Sequence, residues 1–102
     1  MKTIVIAKDF TATPEGGKRK EGPFSGEAFR EDYLIPALFS QPGKVMVDLS
    51  HTTELDPSFL DEAFGGLVRI GISKTVLKER LELKGGLPLV ESQIWKHIEE
   101  ND

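Results

Sequence analysis

The stretch that decides the fold is residues 44–50, KVMVDLS, followed by residues 56–67, DPSFLDEAFGGL. Its apolar run at 45–47 is short and unbroken, which predicts a strand covered on both faces. Polar residues from Asp48 onward end this run and carry the chain off the sheet. The second half has the spacing of a helix, so the stretch is a strand, a turn and a helix.

The start of that helix carries several signals. Asp56 can cap it, and Pro57 fits its first turn. Asp61 and Glu62 lie where the helix dipole favours negative charge. In an alternative register, Ser58 is the cap and Asp61 completes a capping box. In both registers the helix begins within two residues of position 57.

The interior of this helix predicts a buried face made of Leu60, Ala63, Phe64 and Leu67, with Phe59 and Ile70 on an adjoining flank. Gly65 and Gly66 are unfavourable inside a helix, by about 1 kcal/mol each relative to Ala. Their presence indicates close approach by another element. Gly71 is placed to end the helix.

The N-terminal quarter predicts a strand and a loop. Residues 3–7, TIVIA, are β-branched and apolar, which predicts a first strand reaching Phe10. Residues 11–23 combine glycines and prolines with a basic run, so we expect an exposed, mobile loop.

A second helix is predicted after this loop. Ser25 can cap it, and Phe24 can pack on Phe29 as a hydrophobic staple. Apolar residues then recur at helical spacing as far as Leu38. Pro36 lies inside this run and predicts a kink or an early stop, because proline lacks the amide proton.

The C-terminal third predicts a short helix at 74–80, a short strand at 81–83 and a last helix opened by Pro88. Strands therefore alternate with helices along the whole chain. This order is typical of a single α/β domain spanning residues 1–102.

Composition limits the function classes. The chain has 102 residues, a formal charge of −4 and no cysteine. A basic excess is needed to neutralise phosphates, so we expect no nucleic-acid partner. No apolar stretch is long enough for a membrane span, and no secretion signal is present, so the expected location is the cytoplasm. Disulfides and thiolate metal sites are excluded.

Three segments carry a family resemblance: Thr13–Pro14 leading to GPFSGEAFR (22–30), the strand VMVD (45–48), and SFLDEAFGGLVR (58–69). Together they resemble the bacterial family of STAS-like domains of unknown function, named for sulphate-transporter and anti-sigma-factor-antagonist domains. The resemblance implies a mixed sheet with helices packed mostly on one face. It also implies a functional surface near the start of the helix after the central strand.

The same resemblance raises a phosphorylation hypothesis. In anti-sigma-factor antagonists the strand-to-helix turn reads Asp-Ser-Ser-Gly or Asp-Ser-Thr-Gly, and its first serine takes phosphate. Here the turn is Asp56-Pro57-Ser58-Phe59, so proline stands at the phosphorylated position. Ser58 is the remaining hydroxyl, either as a phosphorylation site or as a residue of the helix start.

A second candidate site is an anion site in the glycine-rich basic loop. Glycine amides, basic side chains and a helix N-terminus can together hold phosphate. The segment does not match a P-loop, because no serine or threonine follows Lys18. The residues of this candidate site are Gly16, Gly17, Lys18, Arg19, Lys20 and Gly26.

No reaction chemistry is recognisable in the sequence. His51 and His97 are isolated from metal-ligand or triad partners, although His51 near Ser50 and Asp48 is a remote acid–base candidate. We therefore expect no enzyme, no cofactor and no metal site.

The preferred hypothesis is a non-catalytic regulatory or protein-interaction module with an unidentified protein partner; a homo-oligomer is compatible with it. Its docking residues would be Asp56, Ser58, Asp61 and Glu62, on the exposed side of the helix start. Charge reversal at Asp61 or Glu62 is therefore expected to leave the fold intact. The alternative is a sensor of a nucleotide or phosphate that uses the 16–26 region.

Overall fold

A computed structural model describes residues 2–52 and 55–101. Its sheet contains β1 (Lys2–Val5), β2 (Val45–Asp48) and β3 (Leu81–Lys84), in the order β1-β2-β3. The predicted α/β class is confirmed. Both strand pairs are parallel, so the mixed sheet that the resemblance implied is corrected to a parallel one within the described residues. The reason is that helical crossovers, not hairpins, connect the strands.

The two faces of the sheet differ. Along β2, Val45 and Val47 are fully buried, whereas Met46 and Asp48 are half-buried. The register places Val47 between Ile4 and Leu83, on the side that holds the main core. The predicted strand is present and no residue of it is exposed, but only the face of Val45 and Val47 is fully buried, because side chains alternate across a strand.

The first long helix covers residues 26–40. It consists of an α-helical turn (Gly26–Phe29), a five-residue π turn (Arg30–Leu34) and a final α segment (Ile35–Ser40). Its cap is Ser25, whose hydroxyl accepts a hydrogen bond from the Ala28 amide at 3.1 Å, as predicted. The helix continues past Pro36, so the predicted early stop is wrong. The π turn comes just before the proline, where an interrupted hydrogen-bond ladder can be accommodated.

The second long helix covers residues 57–69 and is built in the same way. A π turn (Asp61–Gly65) separates Pro57–Leu60 from Gly66–Arg69. It ends as predicted at Gly71, whose φ is 109°. The Gly71 amide donates to Val68 O at 2.9 Å and the Ile72 amide to Leu67 O at 3.0 Å, the two bonds of a Schellman cap.

Two further helices complete the C-terminal half, Lys74–Arg80 and Pro88–Glu100, both close to their predicted positions. The N-terminal strand is shorter than predicted. It ends at Val5 because the Asp9 carboxylate accepts a hydrogen bond from the Val5 amide at 2.8 Å and residues Ile6–Phe10 form a π turn.

The core lies between the sheet and the two long helices. Its largest fully buried side chains include Phe29, Phe59 and Phe64. Phe10 packs at their edge and contacts both Phe24 and Phe29, so it takes the place of the predicted Phe24–Phe29 staple. Of the two residues predicted on the flank of the buried face, Phe59 is fully buried and Ile70 is half-exposed. No helix within the described ranges is both long and apolar enough to cross a bilayer.

Candidate functional site

Asp56 fixes the start of the 57–69 helix from two sides. Its Oδ1 accepts a hydrogen bond from the Phe59 amide at 2.7 Å, and its Oδ2 accepts one from the Gly16 amide at 3.1 Å. The register with Asp56 as the cap is therefore confirmed, and the alternative with Ser58 as the cap is wrong. Pro57 and Ser58 lie exposed on the first turn. Phosphorylation of Ser58 stays a prediction.

The segment preceding the basic run packs against this helix start. Pro14 and Gly17 are buried. A β-carbon on Gly17 would lie 3.1 Å from the Ser58 carbonyl oxygen and 3.0 Å from Cγ of Glu62. Any side chain at this position would force the Ser58 carbonyl or the Glu62 side chain to shift, so glycine suits this close contact. The expectation of an exposed, mobile loop is wrong for these residues, although Lys18, Arg19 and Lys20 are exposed as predicted.

Glu62 is the centre of an ion-pair cluster, not an exposed docking residue. It is 8% exposed. Its Oε2 lies 3.3 Å from Nζ of Lys18, and its Oε1 lies 3.3 Å from Nη2 of Arg69 and 3.8 Å from Nη1 of Arg30. Arg30, itself 7% exposed, also donates to the Glu62 carbonyl oxygen. The prediction that Glu62 lies on the exposed side is wrong, because Lys18 and Arg30 from earlier in the chain and Arg69 from the same helix surround it.

Asp61 is half-buried at the edge of this cluster. Two of its carboxylate contacts with Arg69 are 3.2 Å long, and Nδ1 of His97 lies 3.5 Å from its Oδ1. Burial opposes the charge of Arg69, but the carboxylates of Asp61 and Glu62 outweigh it and raise the pKa of this guanidinium. Arg69 also donates to Asn101 at 2.8 Å. Asp61 and His97 therefore hold the C-terminal helix against the 57–69 helix.

The amides of the candidate anion site already have carboxylate partners. The Gly17 and Lys18 amides donate to Glu21 at 3.3 and 2.9 Å, and the Arg19 amide donates to Glu27 at 2.9 Å. This last bond lowers the pKa of Glu27. The Gly16 amide donates to Asp56. The protein's own carboxylates therefore accept the hydrogen bonds that these amides would donate to a phosphate.

The remaining groups of that candidate site are also engaged. The Gly26 amide, at the start of the 26–40 helix, donates to Gly16 O at 2.9 Å. The Arg19 guanidinium pairs with Glu31 at 2.8 Å and with Asp32 at 2.9 Å, and both bonds raise its pKa. The anion site stays a prediction, and any anion would have to displace these partners. Only Asp56, 40 residues from Gly16, is distant in sequence. Glu21, Glu27, Glu31 and Asp32 lie 3 to 13 residues from the groups they bind, so the acidic residues next to the basic run were the available signal.

In the acid–base candidate around His51, Ser50 binds Asp48, and His51 interacts with the Asp48 carboxyl only electrostatically. Ser50 donates its amide to Asp48 at 2.9 Å, and hydrogen bonds from the Ser50 hydroxyl and amide lower the pKa of that carboxyl. His51 is exposed and has a φ of 64°. Among the hydrogen bonds of the described residues, none involves its side chain. Across residues 2–52 and 55–101, no cluster of His, Asp and Glu side chains could hold a metal ion.

A cleft of about 510 Å³ opens where β2 and β3 end. The turn after β2 contributes Leu49 and Leu55, and the chain after β3 contributes Leu87 and Leu89. Sequence inspection missed this site, because the two walls come from separate parts of the chain. The weak signal available was a pair of leucines flanking Pro88.

These features define a class: a small α/β domain whose parallel sheet holds a capped helix start at the surface. The family model of the STAS-like domain of unknown function matches residues 25–87. Since the match covers more than half of the chain, this chain belongs to that family. The matched segment includes both long helices and the strands β2 and β3. Comparisons with curated proteins and with solved structures found no match.

Proposed function

We propose that this chain is a non-catalytic regulatory module of the cytoplasm that binds a protein partner through the start of the 57–69 helix. Membership of a STAS-like family supports the choice of this helix. The docking surface that we propose consists of the exposed Pro57 and Ser58, with Asp61 at its edge and Lys18 beside it.

The observation that carries the proposal is that the Asp56 carboxylate accepts hydrogen bonds from both the Phe59 amide and the Gly16 amide. These bonds join the helix start to the chain segment beside it. Beneath them, Phe59 and Leu60 are buried in the core. An exposed turn fixed in this way loses little conformational entropy when a partner binds, which favours affinity.

Glu62 supports this surface from beneath. Its bonds with Lys18 and Arg30 connect three segments of the chain under the first helical turns. The proposed docking residues therefore differ from those predicted from the sequence. Asp56 and Glu62 hold the surface in shape, and Ser58 contacts the partner.

The test is partner capture from an extract of the native cell, using two matched variants. Ser58→Arg places a bulky cation on the proposed surface, whereas Ser92→Arg places one on the C-terminal helix; both serines are exposed. We expect both variants to melt within a few degrees of the wild type. Ser58→Arg should lose the captured protein and Ser92→Arg should retain it. Equal capture by both variants would contradict the proposal.

A further inference from the structure

The strand β3 lies at one edge of the sheet and has unpaired backbone groups. In the sheet order β1-β2-β3, only one side of β3 pairs with another strand. The Leu49 amide donates to Lys84 O at 2.8 Å, so the backbone groups of Lys84 point towards β2. Because successive residues of a strand point to opposite sides, the amide and carbonyl of Leu83 point away from β2. Among the hydrogen bonds of the described residues, none involves either of these two groups.

The opposite edge, formed by β1, is blocked. The Lys2 amide donates to Lys44 O at 3.0 Å, so Lys2 faces β2. Thr3 and Val5 therefore face outward. The Val5 amide already donates to the Asp9 carboxylate at 2.8 Å, and the chain then leaves the sheet in a π turn. A strand added to this edge would have to displace Asp9. An open stack in which β3 of one copy joins β1 of the next is therefore disfavoured, whereas β3 can pair with a copy of itself.

The charges of β3 are complementary to those of a second β3. Its sequence is LELK, so Glu82 and Lys84 flank Leu83 and point to the same face of the sheet. In an antiparallel pair with a twofold axis at Leu83, Glu82 of each copy lies opposite Lys84 of the other. Opposite charges at directly opposed positions stabilise a strand pair. The two Leu83 residues then face each other and can exchange both of their backbone hydrogen bonds.

The neighbouring registers of the same strand are unfavourable. An axis at Glu82 places two glutamates opposite each other, and an axis at Lys84 places two lysines opposite each other, which destabilises the pair. A shift by one residue sets Leu83 against backbone groups that already bond to β2. Charged residues on an edge strand usually prevent edge-to-edge pairing. Here they leave one antiparallel register in which every opposed charge has a partner of opposite sign.

The side chains that would meet are accessible. The side chains of Glu82 and Lys84 are 40% and 56% exposed, and Leu83 is half-buried at the margin of the core. Within one copy, Glu82 pairs with Lys44 at 3.2 Å, and Lys84 lies 4.0 Å from Asp48. These contacts use side chains alone, so they leave the backbone edge free.

We infer that the free edge of β3 binds a second copy of this chain, giving a twofold-symmetric dimer whose sheet runs through both copies. The inference goes beyond the proposed function and does not depend on it, because the 57–69 helix forms no part of this edge. Isologous pairing of this kind closes on itself and leaves the blocked β1 edges at the two outer ends of the sheet.

The first test is sedimentation equilibrium up to millimolar protein, with charge exchange across the interface. We expect a reversible wild-type dimer. Glu82→Lys and Lys84→Glu each set like charges against each other twice, so each variant alone should dimerise about tenfold more weakly. An equimolar mixture of the two should dimerise like the wild type, because every opposed pair again has opposite signs. Glu100→Lys and Lys20→Glu make the same charge changes at exposed residues outside β3 and should behave like the wild type.

The second test needs no variant. Amide hydrogen exchange of the wild type is measured by NMR at low and at high protein concentration. The Leu83 amide should exchange more slowly at high concentration, whereas the Thr3 amide, on the β1 edge, should not change. A wild type that stays monomeric at millimolar concentration overturns the inference. So does a dimer that both single variants form equally well, a mixture that fails to restore it, or concentration-dependent protection that does not include Leu83.

Discussion

Gly66 lies directly against the guanidinium of Arg30: a β-carbon at residue 66 would come within 2.8 Å of Cζ of Arg30. The contact joins the π turn of the 26–40 helix to the residue that follows the π turn of the 57–69 helix. Arg30 cannot easily withdraw, because it is buried, pairs with Glu62 and donates to the Glu62 carbonyl oxygen. The glycine pair that is unfavourable within a helix is therefore explained by close packing, as its sequence indicated.

Alanine substitutions at Gly65 and at Gly66 should distinguish the effect of the Arg30 contact on stability from the effect of helix propensity. Gly66→Ala would overlap the buried Arg30, so we expect a loss of about 1–3 kcal/mol in the free energy of unfolding. Gly65→Ala meets mainly the ends of Asn101 and Asp61, which lie nearer the surface and can move. Both substitutions gain helix propensity, so Gly65→Ala should cost clearly less because its neighbours can move and the buried Arg30 cannot. Urea unfolding measures both, and equal costs would contradict this account.

Charge reversal should distinguish the two neighbouring acidic residues. Glu62→Lys would leave Arg30 without its buried partner and add a further cation, so we expect a loss of about 3–5 kcal/mol. Asp61→Lys lies nearer solvent and should cost at most about 1 kcal/mol. Thermal and urea unfolding test this. Normal stability of Glu62→Lys would show that the ion-pair cluster is unimportant.

The pH dependence of stability should show how much the ionised Asp48 carboxyl stabilises the fold. The pKa of its carboxyl is lowered by hydrogen bonds from Ser50, so its ionised form stabilises the fold above the unfolded pKa of about 3.9. That contribution is lost as the pH falls through the lower folded-state pKa. Asp48→Asn should be less stable than the wild type at pH 7, and the difference should shrink towards pH 3. A difference that is constant with pH would contradict this assignment.

Phosphate should not stabilise the protein. The amides of residues 16–19 already donate to Asp56, Glu21 and Glu27. A phosphate or nucleotide would have to displace these carboxylates, so we expect no rise in the melting temperature when either is added at millimolar concentration. A specific ligand of the folded state raises it. A saturable rise that Lys18→Ala abolishes would favour the sensor hypothesis instead.

Features set by neighbours in sequence could be predicted. The caps at Ser25 and Asp56 and the stop at Gly71 depend on residues within a few positions, and all three are present. The strand patterns at 45–48 and 81–84 were equally local. The class of fold followed from their alternation with helices.

The details of the site could not be predicted, because they depend on distant residues. Glu62 has the sequence context of an exposed helix residue, but Arg30, 32 positions earlier, and Lys18 enclose it. Gly16 and Gly17 have loop composition, yet the Gly16 amide bonds to Asp56, 40 positions later. Composition alone cannot show such long-range bonds.

The central claim is that the start of the 57–69 helix meets a protein partner. Amide hydrogen exchange, measured on the domain alone and saturated with the captured partner, tests it most directly. We predict slower amide exchange across residues 58–61 in the complex than in the domain alone. Unchanged exchange at 58–61 alongside new protection elsewhere, for example at 39–44, would contradict the claim.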